Sequence, residues 1–486
     1  MNYKYLKFSA LHQTRFPVSG ESSIKHHNDN QRVTVHKEIL LPTVSLLYVY
    51  LQVMKRVLII TYYWPPIGGS GVQRWVKFAK YLPAEGWQPV IYTPENPDLS
   101  SVDTSLLNDI PEEAEIIRTR ILEPYGIYRK LTGSKGQIKV EANPGNGGKG
   151  SLLKKVSMWI RGNFFMPDPR CFWINPSVRF LKKYLKEHPV DIIVSTGPPQ
   201  SMHLIARKVS LATGIPWVAD FRDPWTRIFY FKHLRLSKWA ERKHHKLEQS
   251  VLDDATAVVA VSPLVQNDFA EMTKTPVYLV TNGYDESDYM DPVENDGNFN
   301  IVHTGLLTAD GNPVELWKVL GEKCREDKEF SDRFRLTLAG KTDKAVLESI
   351  RDAGLEDYLT DLGYIDHDKA VKQQRMASVL ILPIREEPET KAILPGKLFE
   401  YLAARRPILG VGTREGAMAE VLQETGAGKI FDWTDTADIK EYIDKSWKSF
   451  LEGELKTEAA DIERFSRKNT TRKMVELFTE LQHQNT

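Results

Sequence analysis

The sequence is poor in cysteine, with Cys171 and Cys324 the only two in 486 residues. Two thiols exclude a disulfide scaffold and any four-cysteine metal site. Such sparing use fits a reducing compartment. An excess of charge is also missing. Lys plus Arg number 65 against 64 for Asp plus Glu, a formal net charge of +1, which argues against a dedicated nucleic-acid binder. No apolar run approaches the roughly 20 residues that a spanning helix needs. A Walker loop, an HExxH helix and a GxSxG elbow are absent as well. What remains is 41% hydrophobic and 27% charged, a soluble globular composition. The length suits two or three domains of roughly 150 residues each.

Residues 1–53 read differently from the rest. Met1 to Lys37 is polar and without period, and the apolar stretch Ile39 to Val53 is interrupted by Pro42, Thr43, Ser45 and Gln52. It lacks the basic start and small-residue cleavage site of a signal peptide. Met54-Lys55-Arg56 then leads into Val57-Leu58-Ile59-Ile60, which predicts a natural start at Met54. The rival reading is a weak membrane-contacting arm.

From Met54 onward, strands and helices alternate. Continuous apolar strands are predicted at Val57–Thr61, Pro89–Thr93, Asp191–Ser195, Pro216–Phe221, Ala255–Val261 and Val277–Val280. Runs of this kind mark parallel sheets buried on both faces. Asp285 to Asn298 is acidic and aperiodic, and reads as a linker. A second series follows, with strands at Asn300–His303, Arg335–Ala339, Val379–Pro383 and Ile408–Val411 and helices between them. The pattern predicts two doubly wound, Rossmann-like α/β domains in tandem: 54–285, then 299–455 beyond a linker at 286–298, with helices over 456–486. Ligands of such sheets sit beyond the carboxyl ends of the strands, here in the cleft between domains.

Three motifs can carry chemistry. Gly68-Gly69-Ser70-Gly71 opens a helix whose amides can bind phosphate. Its likeness to a dinucleotide fingerprint is weak, because Arg74 stands where Gly or Ala is needed, and a plain strand-to-helix turn explains it equally. Ala219-Asp220-Phe221-Arg222-Asp223-Pro224-Trp225 leaves a strand end with two carboxylates and a guanidinium. It reads as a catalytic set of Asp223, Arg222 and Asp220, or as a structural Arg–Asp cap. Leu394-Pro395-Gly396-Lys397-Leu398-Phe399-Glu400-Tyr401 frees helix-start amides at Gly396 and adds the Lys397 charge. Its Glu400 can accept two hydrogen bonds from a ribose diol, unless Lys397 and Glu400 are only an i,i+3 pair. Asp366-His367-Asp368 spells a metal-binding DxD, but Asp366 reads as an N-cap. His244-His245 lacks acidic or cysteine companions for a metal.

Thr132 to Gly150 reads as a mobile loop. It leads into Leu152, Leu153, Val156, Trp159 and Ile160 at helical spacing. A second basic stretch, Arg227 to Lys246, interleaves Phe229, Tyr230, Phe231 and Trp239 with Lys and Arg. Each is either a solvated helix face or a surface for anionic lipid.

With Tyr62 to Gly71, Ser195 to His203, Ala219 to Trp225, Thr281 to Asp285, His303-Thr304-Gly305, Leu338 to Lys341 and Pro395 to Leu409 in view, the chain resembles the family 4 (group 1) glycosyltransferases of the GT-B fold. The resemblance runs from Met54 to the C-terminus. It implies a retaining sugar transfer from a nucleotide-sugar on the second domain to an acceptor presented by the first. The two basic-aromatic stretches of the first half suggest a glycan or lipid-linked acceptor in surface polysaccharide synthesis, with the enzyme in the cytoplasm or peripheral on the inner membrane face against anionic lipid; no nucleic-acid partner, no metal and no cofactor beyond the donor are expected. Donor contacts are implied at Gly68, Gly69, Lys397 and Glu400 and are expected as well at Gly305 and Gly396, with the last helices crossing back to the first domain. There are departures. Ala392 replaces a first glutamate, and Gly305 to Gly311 lacks the usual Arg and Lys. Phosphate neutralisation is then expected from Lys397, Lys341 and Arg385. The family histidine near Thr196 has only His203 as counterpart. Alternatives are a nucleotide-sugar 2-epimerase of the same architecture, an NAD-dependent oxidoreductase resting on the Gly69 loop alone, and a catalytically silent, membrane-docked homologue.

Overall fold

The structure is a computed structural model that describes residues 54–97, 102–123, 159–160, 162–228, 231–290, 293, 296–455, 457 and 459–484. The expectations for residues 1–53, for the insert 132–150 and for most of the helix beyond it lie outside the described residues.

A parallel sheet of seven strands fills the first half, in the order β3-β2-β1-β4-β5-β6-β7. The strands are β1 (Lys55–Ile60), β2 (Trp87–Pro94), β3 (Glu115–Thr119), β4 (Ile192–Gly197), β5 (Trp217–Phe221), β6 (Ala257–Ala260) and β7 (Val277–Leu279). Side chains alternate across a sheet, and both faces of β1 are covered. Val57 and Ile59 pack on one side with α1 (Ser70–Tyr81). Leu58 and Ile60 pack on the other, with α2 (Cys171–Glu187) and α3 (Ser201–Thr213). That double burial is why the sequence shows an unbroken apolar run there. Two further helices, α4 (Lys238–Asp254) and α5 (Pro263–Met272), complete this half.

The second half repeats the plan with six parallel strands in the order β10-β9-β8-β11-β12-β13. They are β8 (Phe299–Thr304), β9 (Phe334–Ala339), β10 (Leu359–Asp361), β11 (Val379–Pro383), β12 (Ile408–Val411) and β13 (Gly428–Phe431). The helices are α6 (Val314–Glu326), α7 (Lys328–Arg333), α8 (Lys344–Asp352), α9 (His367–Met376), α10 (Gly396–Ala404), α11 (Ala417–Thr425) and α12 (Thr436–Leu451). Each half starts in the sheet centre and winds outward twice, the Rossmann order. The chain thus holds two Rossmann-like domains in tandem.

The last helix, α13 (Arg467–Gln484), returns to the first half. Its Met474, Leu477, Phe478 and Leu481 join the core beside Val57, Ile59 and Trp75, and the Phe478 ring meets Trp87 at 5.1 Å. The region that reads as a linker begins at a fixed point. Asp285 is buried and accepts from Lys77 at 2.7 Å, Lys80 at 2.8 Å and Tyr81 at 2.6 Å, all on α1. No helix among the described residues is long and apolar enough to cross a membrane.

Candidate active site

In the first half the site is assembled by two arginines. The β1 exit runs through Gly68, which is buried, and Gly69, whose φ of +103° at the start of α1 favours glycine. One turn on, Arg74 is buried and points back under the sheet. It binds Asp220 at 2.8 Å and the carbonyls of Val280 and Thr281, also at 2.8 Å. The residue that breaks the dinucleotide pattern therefore ties α1 to the ends of β5 and β7.

Asp220 is fully buried and also accepts from Trp75 Nε1 at 2.7 Å and Thr196 Oγ1 at 2.9 Å. Burial alone would raise its carboxyl, but Arg74 and these donors hold it below the usual range. With its oxygens so occupied it has no access to an acceptor, so the structure assigns it to holding the strand ends. Arg222 spends its donors on backbone carbonyls. Its Nη1 donates to the Gly71 carbonyl at 2.7 Å, its Nε to Gly197 at 3.3 Å and its Nη2 to Pro198. It clasps the glycine loop to the β4 exit. Asp223 is half-buried and takes no hydrogen bond among the described residues. Burial raises its carboxyl, Arg222 opposes this, and the net shift is upward.

His203, at the first turn of α3, is fully buried with its ring stacked on Phe221 at 4.4 Å. Its Nδ1 shares a 2.8 Å hydrogen bond with Ser195, while Nε2 has no partner. Burial pushes its pKa down to about 3, so the ring is neutral at ordinary pH. Beside it a cavity of about 230 Å³ opens between the strand exits, with Tyr63, Arg170, Gln200, Trp225, Phe231 and His244 among its walls. Gln200 Oε1 and His244 Nε2 are buried there without hydrogen bonds. Aromatic walls with unpaired planar polar groups suit a ring-shaped polar ligand.

In the second half, β8 and β9 end at Gly305 (φ +128°) and Gly340 (φ +141°). They approach so closely that a Cβ on Gly340 would lie 1.9 Å from the Gly305 carbonyl. Gly396 starts α10 with open space around it. One turn later, Glu400 is 9% exposed and its Oε2 accepts from Lys397 at 2.6 Å and Gln374 at 2.8 Å. Burial works to raise this carboxyl, and Lys397, His367 and Gln374 together outweigh it, so the net shift is downward. Its Oε1 takes no hydrogen bond among the described residues. Gln374 is fixed in turn by Thr304 at 2.9 Å and by Tyr289, which donates to it at 3.0 Å.

The cations expected near the phosphates are placed differently from one another. Lys397 lies against Gly305, its Cε 3.5 Å from where a Cβ would stand. Arg385 pairs with Asp310 at 3.1 Å. The Lys341 side chain is exposed, and its carbonyl accepts from Leu307 at 3.0 Å. Ala392 packs against the first-half core, and Lys232 reaches Glu387 at 3.3 Å, so this loop meets the opposite domain. Asp366 stands at the N-cap of α9 without capping it, pairing with Lys369 at 3.1 Å instead. His367 pairs with Asp288 at 3.0 Å.

Two residues escape the sequence reading. Gln374 gives no signal before its contact with Glu400 is seen. Arg467, the first residue of α13, is buried 5% exposed with Nη1 unpartnered; nothing in its local sequence sets it apart.

Residues 148–288 match the model of Glycosyltransferase Family 4, and residues 298–448 that of Glycosyl transferases group 1. None of the curated proteins matches the chain. Among solved structures, sucrose-phosphate synthase from Thermosynechococcus elongatus aligns with a TM-score of 0.56 at 15% identity, over 88% of this chain and 99% of its own. The E. coli trehalose-6-phosphate protein bound with UDP-2-fluoro glucose gives 0.56 at 13%, over 88% and 99%. WaaG, a glycosyltransferase involved in lipopolysaccharide biosynthesis, gives 0.50 at 12%, over 87% and 99%. At such identities these three speak to the fold, which is that of GT-B glycosyltransferases.

Proposed function

The chain belongs to the glycosyltransferases, with a family 4 half and a group 1 half, and on that premise we propose that it moves a sugar, with retention, from a nucleotide-sugar to a glycan or lipid-linked acceptor in cell-surface polysaccharide synthesis. The observation that carries this reading is Glu400. It is a buried, ionised carboxylate with one oxygen held by Lys397 and Gln374 and the other open, one turn into a helix facing Gly305. That is a fitting receptor for a ribose diol, with Lys397 and the Gly396 amides beside the phosphates.

In the proposed reaction the bond from the anomeric carbon to the diphosphate oxygen breaks, through an oxocarbenium-like transition state. The acceptor oxygen bonds to the same face of that carbon, and its proton passes to the departing diphosphate. Negative charge grows on the leaving group, so fixed cations and amides in a dry cleft lower the barrier. Asp223, with its unpaired carboxylate, orients the acceptor hydroxyl, and the cavity beside Trp225 and Gln200 receives the acceptor. The neighbour seen with UDP-2-fluoro glucose supports a nucleotide-sugar donor. The neighbour involved in lipopolysaccharide biosynthesis supports the surface-glycan setting.

The protein is proposed to work at the cytoplasmic membrane face. Trp159, Phe164, Phe172 and Trp239 are exposed, Phe164 at 66% and Trp239 at 60%. Asn163 bridges their two segments through Trp159 and Ser237. Lys238, Arg242, Lys243 and Lys246 of α4 are exposed nearby. Aromatic and cationic side chains together suit anionic lipid.

A thermal-shift screen against UDP, GDP, ADP and CMP, with NAD as control, tests the donor assignment. At 100 times its dissociation constant a ligand adds about 2.7 kcal/mol of stability. One nucleoside diphosphate should raise Tm, and Glu400→Ala should abolish the rise. A shift with NAD alone, or none at all, would remove the reading.

A further inference from the structure

Three cations are buried among the described residues: Arg74, Lys77 and Arg467. Arg74 is held by Asp220, and Lys77 by Asp109 and Asp285, each at 2.8 Å or less. Arg467 is different. Its guanidinium makes no hydrogen bond and no ion pair among the described residues, and its Nη1 is sealed from water. A buried charge with no hydrogen-bonded partner opposes folding unless something binds it.

Its position is fixed by backbone. The Arg467 amide donates to the Tyr284 carbonyl at 2.7 Å, and the Gly283 α-carbon lies so close to the Phe465 carbonyl that a Cβ would meet it at 2.1 Å. The start of α13 is thereby locked onto the turn leaving the first domain. It is equally tied to the donor helix. Phe465 packs on Phe399 of α10 at 5.3 Å. Tyr284 meets Tyr289, whose hydroxyl holds the Gln374 that holds Glu400. The guanidinium is within electrostatic reach of Glu400 on one side and of Arg74, Asp220 and Asp285 on the other. Burial, and then repulsion from Arg74, pushes its pKa down to about 9, so it keeps its charge at neutral pH.

The β8 exit, Leu306 to Gly311, meanwhile carries no cation, and Arg385 and Lys397 already have carboxylate partners. We propose that Arg467, held at the start of the last helix between the Tyr284 turn and the donor helix, binds the diphosphate of the donor and supplies positive charge that the β8 exit lacks. This rests on the nucleotide-sugar reading above. The free protein holds the guanidinium unpaired, and the arriving diphosphate, with the charge it gains as the sugar departs, pairs it.

Calorimetric titration of the full chain with UDP and UMP, GDP and GMP, and ADP and AMP tests this. Wild type should favour the diphosphate of one pair. Arg467→Gln should weaken that diphosphate by roughly tenfold or more, the worth of a charge-assisted hydrogen bond, while the monophosphate changes by less than about threefold. Arg467→Lys should restore part of the loss. Without ligand, Arg467→Met should melt no lower than wild type, because it removes a charge without a partner. Wild-type diphosphate affinity in Arg467→Gln would overturn the proposal. So would an equal loss of both nucleotides together with a lowered Tm, which would mark a structural arginine. A wild type that separates none of the pairs would instead sink the donor reading, and this inference with it.

Discussion

Asp220 and Asp223 leave the same strand end, yet their surroundings drive them in opposite directions. Asp220 is lowered, with Arg74 and its hydrogen-bond donors overcoming burial, and Asp223 is raised by burial. For Asp220 the folded value lies below the unfolded one. Its stabilisation is therefore present above the unfolded value of about 4 and is lost as pH falls toward the folded value. For Asp223 the sign reverses. Ionising it costs stability above the unfolded value, and the cost disappears as pH falls. Asp220→Asn breaks a buried pair and should lose about 3–5 kcal/mol at pH 7. Asp223→Asn should leave stability unchanged or raise it. Urea unfolding of both variants at pH 7 checks the signs, and a stable Asp220→Asn would contradict the structural role given to that carboxylate. The sequence shows these acids and Arg222 as one cluster at a strand exit, and that much of the site was legible. It could not show which acid is saturated, because the deciding partners, Arg74, Trp75 and Thr196, are remote in sequence. Nor could it show that Arg222 spends its donors on the Gly71, Gly197 and Pro198 carbonyls.

Elements differ in how plainly they announce themselves. The central strands are apolar on both faces and read directly. The unread ones, β3, β10 and β13, are sheet edges. In β3 the side chains alternate between half-buried and exposed, and β10 is mostly exposed. An edge strand has one neighbour and less apolar cover, so its pattern fades into that of a loop. Helix α2 was hidden by Pro176 within it. Helix α4 shows a different ambiguity. Its Ala240, His244, Glu248, Val251 and Leu252 are buried, while Trp239 and four cations face outward. A plain solvated face does not require an exposed tryptophan beside exposed Trp159 and Phe164. Basic residues at an anionic surface contribute about 1 kcal/mol each, so Lys238, Arg242 and Lys243 together changed to Glu should weaken vesicle binding at least roughly a hundredfold. Co-sedimentation with phosphatidylcholine vesicles, with and without phosphatidylglycerol, measures this. Failure of the wild type to bind the mixed vesicles would leave α4 as an ordinary solvated helix.

On the scale of the molecule, the last helix joins the two halves. Chain order would assign α13 to the donor domain, but its apolar face completes the first-half core around Val57, Ile59, Trp75 and Trp87. Its first turn sits on the hinge turn at Tyr284. The first domain is therefore finished by the end of the chain, and it cannot close its core until the second has been made. Phe478 is wholly buried there, so Phe478→Ala should lose about 3–5 kcal/mol. Because α13 spans the two halves, the loss should appear in the unfolding of both. Tryptophan fluorescence is informative here, since Trp64, Trp75 and Trp87 lie in the first-half core and Trp317 and Trp447 in the second. If α13 couples the halves, Phe478→Ala should show one unfolding transition in urea, shifted to lower concentration. A first half that unfolds alone, with the second at its original midpoint, would mean that α13 belongs to the first domain's stability only and does not transmit it. In that case Arg467 would sit on a helix able to loosen without disturbing the donor fold. The nucleotide affinity of Phe478→Ala would then fall even though its target lies deep in the opposite core.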